Sequence, residues 1–126
     1  MFYERPELLN AEIHAVMPAG LARPRRSVWG DINRRGDPLG SFLEGPCFDR
    51  DGNLYVTDIP FGRIFRVRSH DEWDLVAEYD GWPNGMKAAS DGTLLITDYK
   101  RGLVSVDPRT SRMAPVLETV RSQSFL

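Results

Sequence analysis

The chain repeats itself at an offset of 40 residues, and this repeat limits the folds that are open to it. The segment EGPCFDRDGNLYVTD at residues 44–58 is followed by NGMKAASDGTLLITD at residues 84–98. The matched positions include an Asp-Gly turn, a leucine just after it and a Thr-Asp pair that ends the apolar run. A period of about 40 residues is compatible with propeller blades or with pairs of helices. The residue pattern inside each repeat therefore has to distinguish the two.

The pattern inside the repeats predicts β-strands. Asp-Gly is a strong hairpin signal, and in both repeats it precedes a short run rich in β-branched and aromatic residues. The next predicted strands, 63–67 and 103–107, lie 40 residues apart, but the pattern of their residues slips by one position, and a last pair lies at 74–78 and 114–118. Pro115 suits only an edge position in a sheet. Each repeat is therefore predicted to form a four-stranded antiparallel meander.

A meander of this kind has two faces to cover, and in a β-propeller each blade covers one face of the next. The predicted fold is all-β, with a strand and a connecting arm in residues 1–40, one propeller blade in 41–83 and a second in 84–126. Two blades cannot close a ring, because propellers use about 4 to 8. We therefore expect an incomplete N-terminal fragment of a longer protein, or else an oligomer or a truncated product that compensates in another way.

The residues before the first repeat lack its Asp-Gly hairpin. Residues 11–16 alternate like a strand and are interpreted as one, although the apolar residues of this region also match a helical stripe. Residues 23–36 are interpreted as a polar arm that wraps the propeller rim. The arginines around Trp29 imitate a nucleic-acid patch, but Asp31 and Asp37 dilute their charge.

Composition excludes several function classes. The net charge of −2 gives no overall attraction to nucleic acid or to an anionic membrane surface. Cys47 is the only cysteine, which rules out an intrachain disulfide and a metal site built on several thiolates. The sequence has no signal-peptide pattern and no run of about 18 apolar residues. We expect a cytoplasmic protein with neither a nucleic-acid nor a membrane partner.

Two segments, FLEGPCFDRDGNLYVTDIPFGRIFRV and PNGMKAASDGTLLITDYKRGLVSVDP, resemble the opening blades of the gluconolactonase/regucalcin family of lactone hydrolases. The resemblance covers roughly residues 40–126, and its most specific part is Glu-Gly-Pro followed by Asp-Gly-Asn-Leu-Tyr-Val and Asp-Ile-Pro. It implies a six-bladed propeller with a divalent cation in the central channel. Calcium is the expected ion, with zinc, magnesium or manganese as alternatives.

The resemblance implies that Glu44 is a metal ligand. The other family ligands are an Asn and an Asp of later blades, and that Asp is also the general base; neither lies in this sequence. No catalytic residue is therefore predicted in the chain, and we expect it to be inactive by itself. The expected function is that of the N-terminal part of a metal-dependent lactonase with a small-molecule lactone as substrate. The alternative is a non-catalytic propeller that binds a small molecule or a protein at the channel mouth.

Glu44 and Asn84 begin the two repeats, so rotation about a shared axis would aim both at that axis. A carboxylate and amide carbonyls suit a hard cation, which needs several converging oxygen ligands. Asn84 is predicted to contact substrate or a water molecule near the metal. The ordinary alternatives are a solvated carboxylate at Glu44 and an Asn-Gly turn at Asn84.

Other acidic residues are predicted to be structural. Residues 49–53 imitate a calcium loop, but an EF-hand needs Gly and Glu where Leu54 and Pro60 stand, which favours a hairpin turn. Asp58 and Asp98 end equivalent strands, and a short carboxylate there most often accepts backbone N–H bonds from the next turn.

Overall fold

The structure is a computed structural model that describes residues 3–120 and 123–124, with side chains for residues 3–118. The helical elements are α1, Val28–Asn33, and a 3₁₀ turn at Ile59–Phe61. The strands are β1 Leu43–Phe48, β2 Leu54–Asp58, β3 Arg63–Val67, β4 Trp73–Glu78, β5 Pro83–Ala88, β6 Leu94–Asp98, β7 Gly102–Asp107, β8 Arg112–Leu117, β9 Thr119–Val120 and β10 Gln123–Ser124. The rest of the second predicted blade, residues 121, 122, 125 and 126, lies outside the described part.

The predicted all-β class and the two four-stranded antiparallel meanders are confirmed. The first sheet has the order β1-β2-β3-β4 and the second β5-β6-β7-β8, while β9 and β10 form a separate two-stranded ladder that the sequence did not predict. The predicted slip of one residue is also present, because Leu54 pairs with Val67 whereas Leu94 pairs with Val106. Pro115 lies in β8, an edge strand, where its missing N–H leaves no gap in an interior ladder.

The hairpin turn predicted for the Asp-Gly segment of the first repeat is confirmed. The Asp49 carboxylate accepts hydrogen bonds from the backbone N–H groups of Asp51 and Asn53, each at 2.9 Å. The Asp49 N–H in turn donates to the Asn53 carbonyl at 3.1 Å. Gly52 completes the turn with φ +83°, a left-handed value that favours glycine. The carboxylate of Asp49 therefore stabilises the turn that joins β1 to β2.

The two sheets stack face to face, with β5 against β1 and β2. Apolar side chains from both sheets form the larger core between them. Its buried members are Tyr55, Ile64, Val76, Leu94, Ile96, Val104 and Val106. Burial of this apolar surface, at about 25 cal/mol per Å², is the main favourable contribution to the sheet–sheet contact.

The N-terminal segment covers the other face of the first sheet. A second core of Val56, Phe65 and Val67 packs there against partly buried apolar residues that include Met17 and Leu21. The first sheet is therefore covered on both faces.

The second sheet has one face that no described residue covers. Leu95 corresponds to Tyr55 across the 40-residue offset, and Tyr55 is buried against the second sheet. Leu95 and Leu103 are only partly buried, and Leu117 is 46% exposed. The first sheet packs this face against the second sheet, whereas no described residue covers the matching face of the second sheet.

The strand predicted at residues 11–16 is wrong, because this segment has no regular secondary structure and joins no sheet. Its one backbone hydrogen bond to the sheet region runs from the Val16 N–H to the His70 carbonyl at 3.0 Å. Ala15 and Met17 pack on the face of the first sheet, whereas Ile13 is 78% exposed. Packed and exposed side chains therefore alternate from residue 15 onward. This part of the segment lies on the face of the sheet, where it has no strand edge to pair with.

A buried arginine ties this N-terminal segment to the first sheet. Arg63 forms an ion pair with buried Asp58, with Nε donating at 2.7 Å. Its other nitrogens donate to the carbonyls of Leu21 at 2.9 Å and Gly40 at 3.2 Å. One guanidinium group thus joins a strand, the N-terminal segment and the loop before β1.

No helix in residues 3–120 has the length and apolar character needed to cross a membrane.

Candidate functional site

Glu44 and Asn84 line the same cleft, which has a volume of about 440 Å³. Glu44 is the second residue of β1 and Asn84 the second residue of β5. These two strands lie side by side where the sheets stack. The structure thus brings together the two residues that sequence reasoning placed at equivalent ends of the repeats.

Both repeats contribute the same three positions to the cleft. Phe42 and Ile59 are joined by a hydrogen bond from the Ile59 N–H to the Phe42 carbonyl at 3.1 Å. Tyr99 and Trp82 are joined in the same way at 3.2 Å, and each lies 40 residues beyond its counterpart. The lining pairs are Phe42 and Trp82, Glu44 and Asn84, and Ile59 and Tyr99. The cleft is therefore built on the repeat itself.

Helix α1 forms the remaining wall through Trp29, Ile32 and Asn33. Trp29 packs on Phe42 with ring centroids 5.0 Å apart and a tilt of 43° between the rings. The Asn33 amide donates to the Trp29 carbonyl at 2.9 Å. The predicted polar arm thus contains a short helix that contributes an aromatic surface to the cleft, which the sequence analysis missed.

The backbones of β1 and β5 approach closely beside Glu44. Gly45 has a left-handed φ of +54°, and a Cβ atom at this position would overlap the Asn84 carbonyl oxygen. That oxygen also accepts a hydrogen bond from the Thr57 hydroxyl at 2.8 Å. The ladder is irregular between Glu44 and Cys47 of β1, and between Pro83 and Met86 of β5. Such bulges re-aim side chains, and here they occur in both strands that line the cleft.

The carboxylate of Glu44 is free to bind a ligand. Glu44 is exposed, and no residue among 3–118 forms a side-chain hydrogen bond or an ion pair with it. Asn84 is partly buried, and its amide is a second oxygen donor in the same cleft. Carboxylate and amide oxygens are ligands that calcium and magnesium prefer.

These donors fit part of a metal site. Calcium takes about 6–8 oxygen ligands, whereas Glu44 and Asn84 contribute two side chains. Within the described residues, no group of three or more His, Cys, Asp or Glu side chains could hold a metal ion. A cation at Glu44 would therefore need further ligands from water, substrate or residues beyond those described here.

Asp58 has a structural role, as predicted, but its backbone partner lies 16 residues earlier in the chain and not in the next turn. Its carboxylate accepts hydrogen bonds from the Ser41 hydroxyl at 2.9 Å and from the Phe42 N–H at 2.8 Å, and it pairs with Arg63. Asp58 is fully buried, so these protein groups, and not water, stabilise its charge. By fixing Phe42 it also fixes the entry of β1 into the cleft.

Asp98 also has a structural role, at the equivalent position of the second sheet. Its carboxylate accepts from the backbone N–H groups of Lys100 at 2.7 Å and Arg101 at 2.9 Å, and from the Tyr79 hydroxyl at 3.0 Å. Burial raises the pKa of the Tyr79 phenol, and the charge of Asp98 raises that pKa further. The prediction of a structural role is confirmed here too.

A second cavity of about 540 Å³ lies next to the cleft, on the open face of the second sheet. It shares Asn84 and Tyr99 with the cleft and continues along Thr97 and Leu103. Asn84 therefore lies between the cleft and the uncovered sheet face.

The aromatic lining could have been found from the sequence. The 40-residue offset that relates Glu44 to Asn84 also relates Phe42 to Trp82, so the same reasoning would have aimed these rings at the cleft. Trp29 had no such signal, because it lies outside the repeats.

No protein-family model matches the chain, and a search of curated proteins finds no match. The assignment of the cleft therefore depends on its own residues.

Proposed function

We propose that the chain forms part of a metal-dependent lactonase with a β-propeller architecture, in which Glu44 binds a divalent cation and Asn84 contacts the substrate or a water molecule near the metal. One observation carries this proposal. Equivalent residues of two equivalent sheets line one cleft, and one of them is a carboxylate with no side-chain partner among residues 3–118.

The packing of the two sheets supports the propeller part of the proposal. The face of the first sheet that contains Tyr55 and Ile64 is covered by the second sheet, and the matching face at Leu95 and Leu103 is uncovered among the described residues. Repeating the same packing step would place a third sheet on that face. Further steps would turn the sheets around an axis beside β1 and β5, as in a propeller.

The oxygen donors support a hard cation. Calcium is the ion we propose, and zinc, magnesium or manganese are the alternatives. A bound cation would polarise the carbonyl of a cyclic ester and stabilise the negative charge that develops on its oxygen. Glu44 would hold the ion, and the Asn84 amide would orient the ester or a water molecule. The general base is proposed to lie outside this chain.

Calcium binding gives the first test. We expect titration calorimetry to show that Glu44→Gln weakens calcium binding at least about tenfold, since each 1.4 kcal/mol of lost ligand interaction is a factor of ten. Glu78→Gln is the matched control, because Glu78 is also exposed and lies on β4, away from the cleft lining. Calcium affinity should be the same in this control as in the original chain.

Lactone hydrolysis gives the second test. The polypeptide is extended by further repeats, supplied with calcium or zinc, and assayed on glucono-1,5-lactone and a panel of small lactones. Undiminished turnover and metal affinity in the Glu44→Gln variant would refute the proposed role of Glu44.

A second candidate is a non-catalytic module that binds a small molecule or a protein at the same cleft. The aromatic lining favours it, since such surfaces bind ligands without any reacting group. This candidate predicts ligand binding with no lactone turnover under any metal.

A further inference from the structure

We propose that the cleft selects a cyclic ester with an apolar substituent over a polyhydroxylated sugar lactone, and that Trp29 contacts the substituent. This inference rests on the proposed function and specifies the substrate class of the same site. The observations that carry it are the composition of the cleft, its size and the way in which α1 is held.

The lining of the cleft is mostly apolar. Its polar side chains are Glu44, Asn33 and Asn84, together with the hydroxyl group of Tyr99, a side chain that is 59% exposed. Glu44 is assigned to the cation, and the Asn33 amide already donates to the Trp29 carbonyl. A sugar lactone would bring several hydroxyl groups, and each one that loses water without gaining a partner weakens binding. An alkyl group has no such requirement and would gain from contact with the aromatic rings.

The cleft is also larger than a bare lactone ring requires. Sites of about 300–1,000 Å³ accommodate drug-sized ligands, and this cleft has about 440 Å³. With the ester group near Glu44, the remaining space extends toward α1. Ile32 on that helix is 67% exposed, so apolar surface is available at this side of the cleft.

Trp29 is held in place before any ligand arrives. Arg25 and Leu39 exchange two backbone hydrogen bonds of 3.1 Å, which close the loop that contains α1. The Ser27 hydroxyl caps the helix by accepting from the Gly30 N–H at 3.0 Å. Gly30 is buried beneath Leu39. Together with the contact to Phe42, this arrangement means that a ligand need not order the Trp29 wall.

The test compares two lactones that share a five-membered ring, γ-nonalactone with an alkyl chain and galactono-1,4-lactone with hydroxyl groups. Calorimetry on the 126-residue chain, with and without calcium, measures their dissociation constants. We expect γ-nonalactone to bind at least about tenfold more tightly. Trp29→Ala should weaken γ-nonalactone about tenfold and change galactono-1,4-lactone less than about twofold.

Val28→Ala is the matched control, because Val28 is exposed on the same helix and is absent from the cleft lining. It should leave both affinities unchanged. Ile32→Ala is a second variant for the case in which Trp29→Ala disturbs the loop, as monitored by circular dichroism, and it should also weaken γ-nonalactone selectively.

Equal or tighter binding of galactono-1,4-lactone would overturn the inference, as would unchanged γ-nonalactone affinity in both helix variants. Selective binding without hydrolysis in the extended polypeptide would refute the lactonase proposal and leave the apolar selectivity of the cleft standing. Hydrolysis without this selectivity would refute the inference and leave the lactonase proposal standing.

Discussion

Replacing Gly45 with alanine should destabilise the chain more than the same replacement at Gly52. Both glycines have left-handed φ values, +54° and +83°, so alanine is strained at both. A Cβ atom at Gly52 would have no heavy atom within 4 Å, whereas a Cβ at Gly45 would overlap the Asn84 carbonyl and lie 3.1 Å from the Met86 nitrogen. The two variants therefore share the backbone strain and differ in the contact between sheets.

The magnitude follows from these two contributions. A left-handed backbone costs a non-glycine residue about 1–2 kcal/mol, which is the loss expected for Gly52→Ala. Forcing an extra methyl group into a packed contact costs about 1–3 kcal/mol more, so Gly45→Ala should lose a total of about 2–5 kcal/mol. This penalty is difficult to relieve, because the overlapping atom is a backbone oxygen that also accepts a bond from Thr57.

Urea unfolding followed by tryptophan fluorescence measures the difference. With a slope of about 1–3 kcal/mol per molar urea for a small protein, the midpoint of Gly45→Ala should lie clearly below that of Gly52→Ala. Gly92→Ala, another left-handed glycine with open space around it, should behave like Gly52→Ala. Equal losses at Gly45 and Gly52 would refute the close approach of β1 and β5.

Two further predictions concern buried polar groups. Arg63→Met should lower the free energy of unfolding by about 3–5 kcal/mol, as measured with urea, because it leaves the buried charge of Asp58 without its partner. Arg66→Met breaks a partly exposed ion pair and should lower it by about 1 kcal/mol or less. Similar losses in the two variants would contradict the burial of Arg63. The raised pKa of Tyr79 predicts a stability contribution that is complete below pH 10.0, the unperturbed value, and is lost as pH rises above it. Tyrosinate absorbance of the folded chain should be the same in Tyr79→Phe as in the original up to about pH 11, and a deficit of one tyrosine in the variant would contradict the prediction.

The repeated sheets could be predicted from the sequence because their signals are local. Asp-Gly turns, alternating strands and the one-residue slip at 103–107 are all visible in a single repeat or in the comparison of two. The structural role of Asp98 followed in the same way, since its carboxylate accepts bonds from the turn directly after its strand. The Phe42 N–H that donates to Asp58 lies 16 residues earlier in the chain, so this partner could not be found from the local pattern.

The parts that were missed depend on contacts between distant segments. Residues 11–16 have the alternation of a strand, but Ala15 is the one among them that packs on the face of the first sheet, and no local pattern reveals this. Helix α1 is only six residues long, and it is held by the Arg25–Leu39 bridge and by packing on Phe42. Among the aromatic residues of the cleft, Trp29 could not be found from the repeat, because it reaches the lining only through these contacts.

Cross-linking between positions 44 and 84 tests most directly whether the stacked sheets bring these two residues together. In a Cys47→Ala background, the double variant Glu44→Cys/Asn84→Cys is treated with a short bifunctional maleimide and examined by peptide mass spectrometry. The pair Asp51→Cys/Asn84→Cys is the control, since Asp51 lies in the turn beyond the end of β1, away from the close approach at Gly45. Efficient intramolecular linkage of 44 to 84, with little linkage of 51 to 84, is the predicted result. Equal linkage of the two pairs, or none between 44 and 84, would contradict the shared cleft.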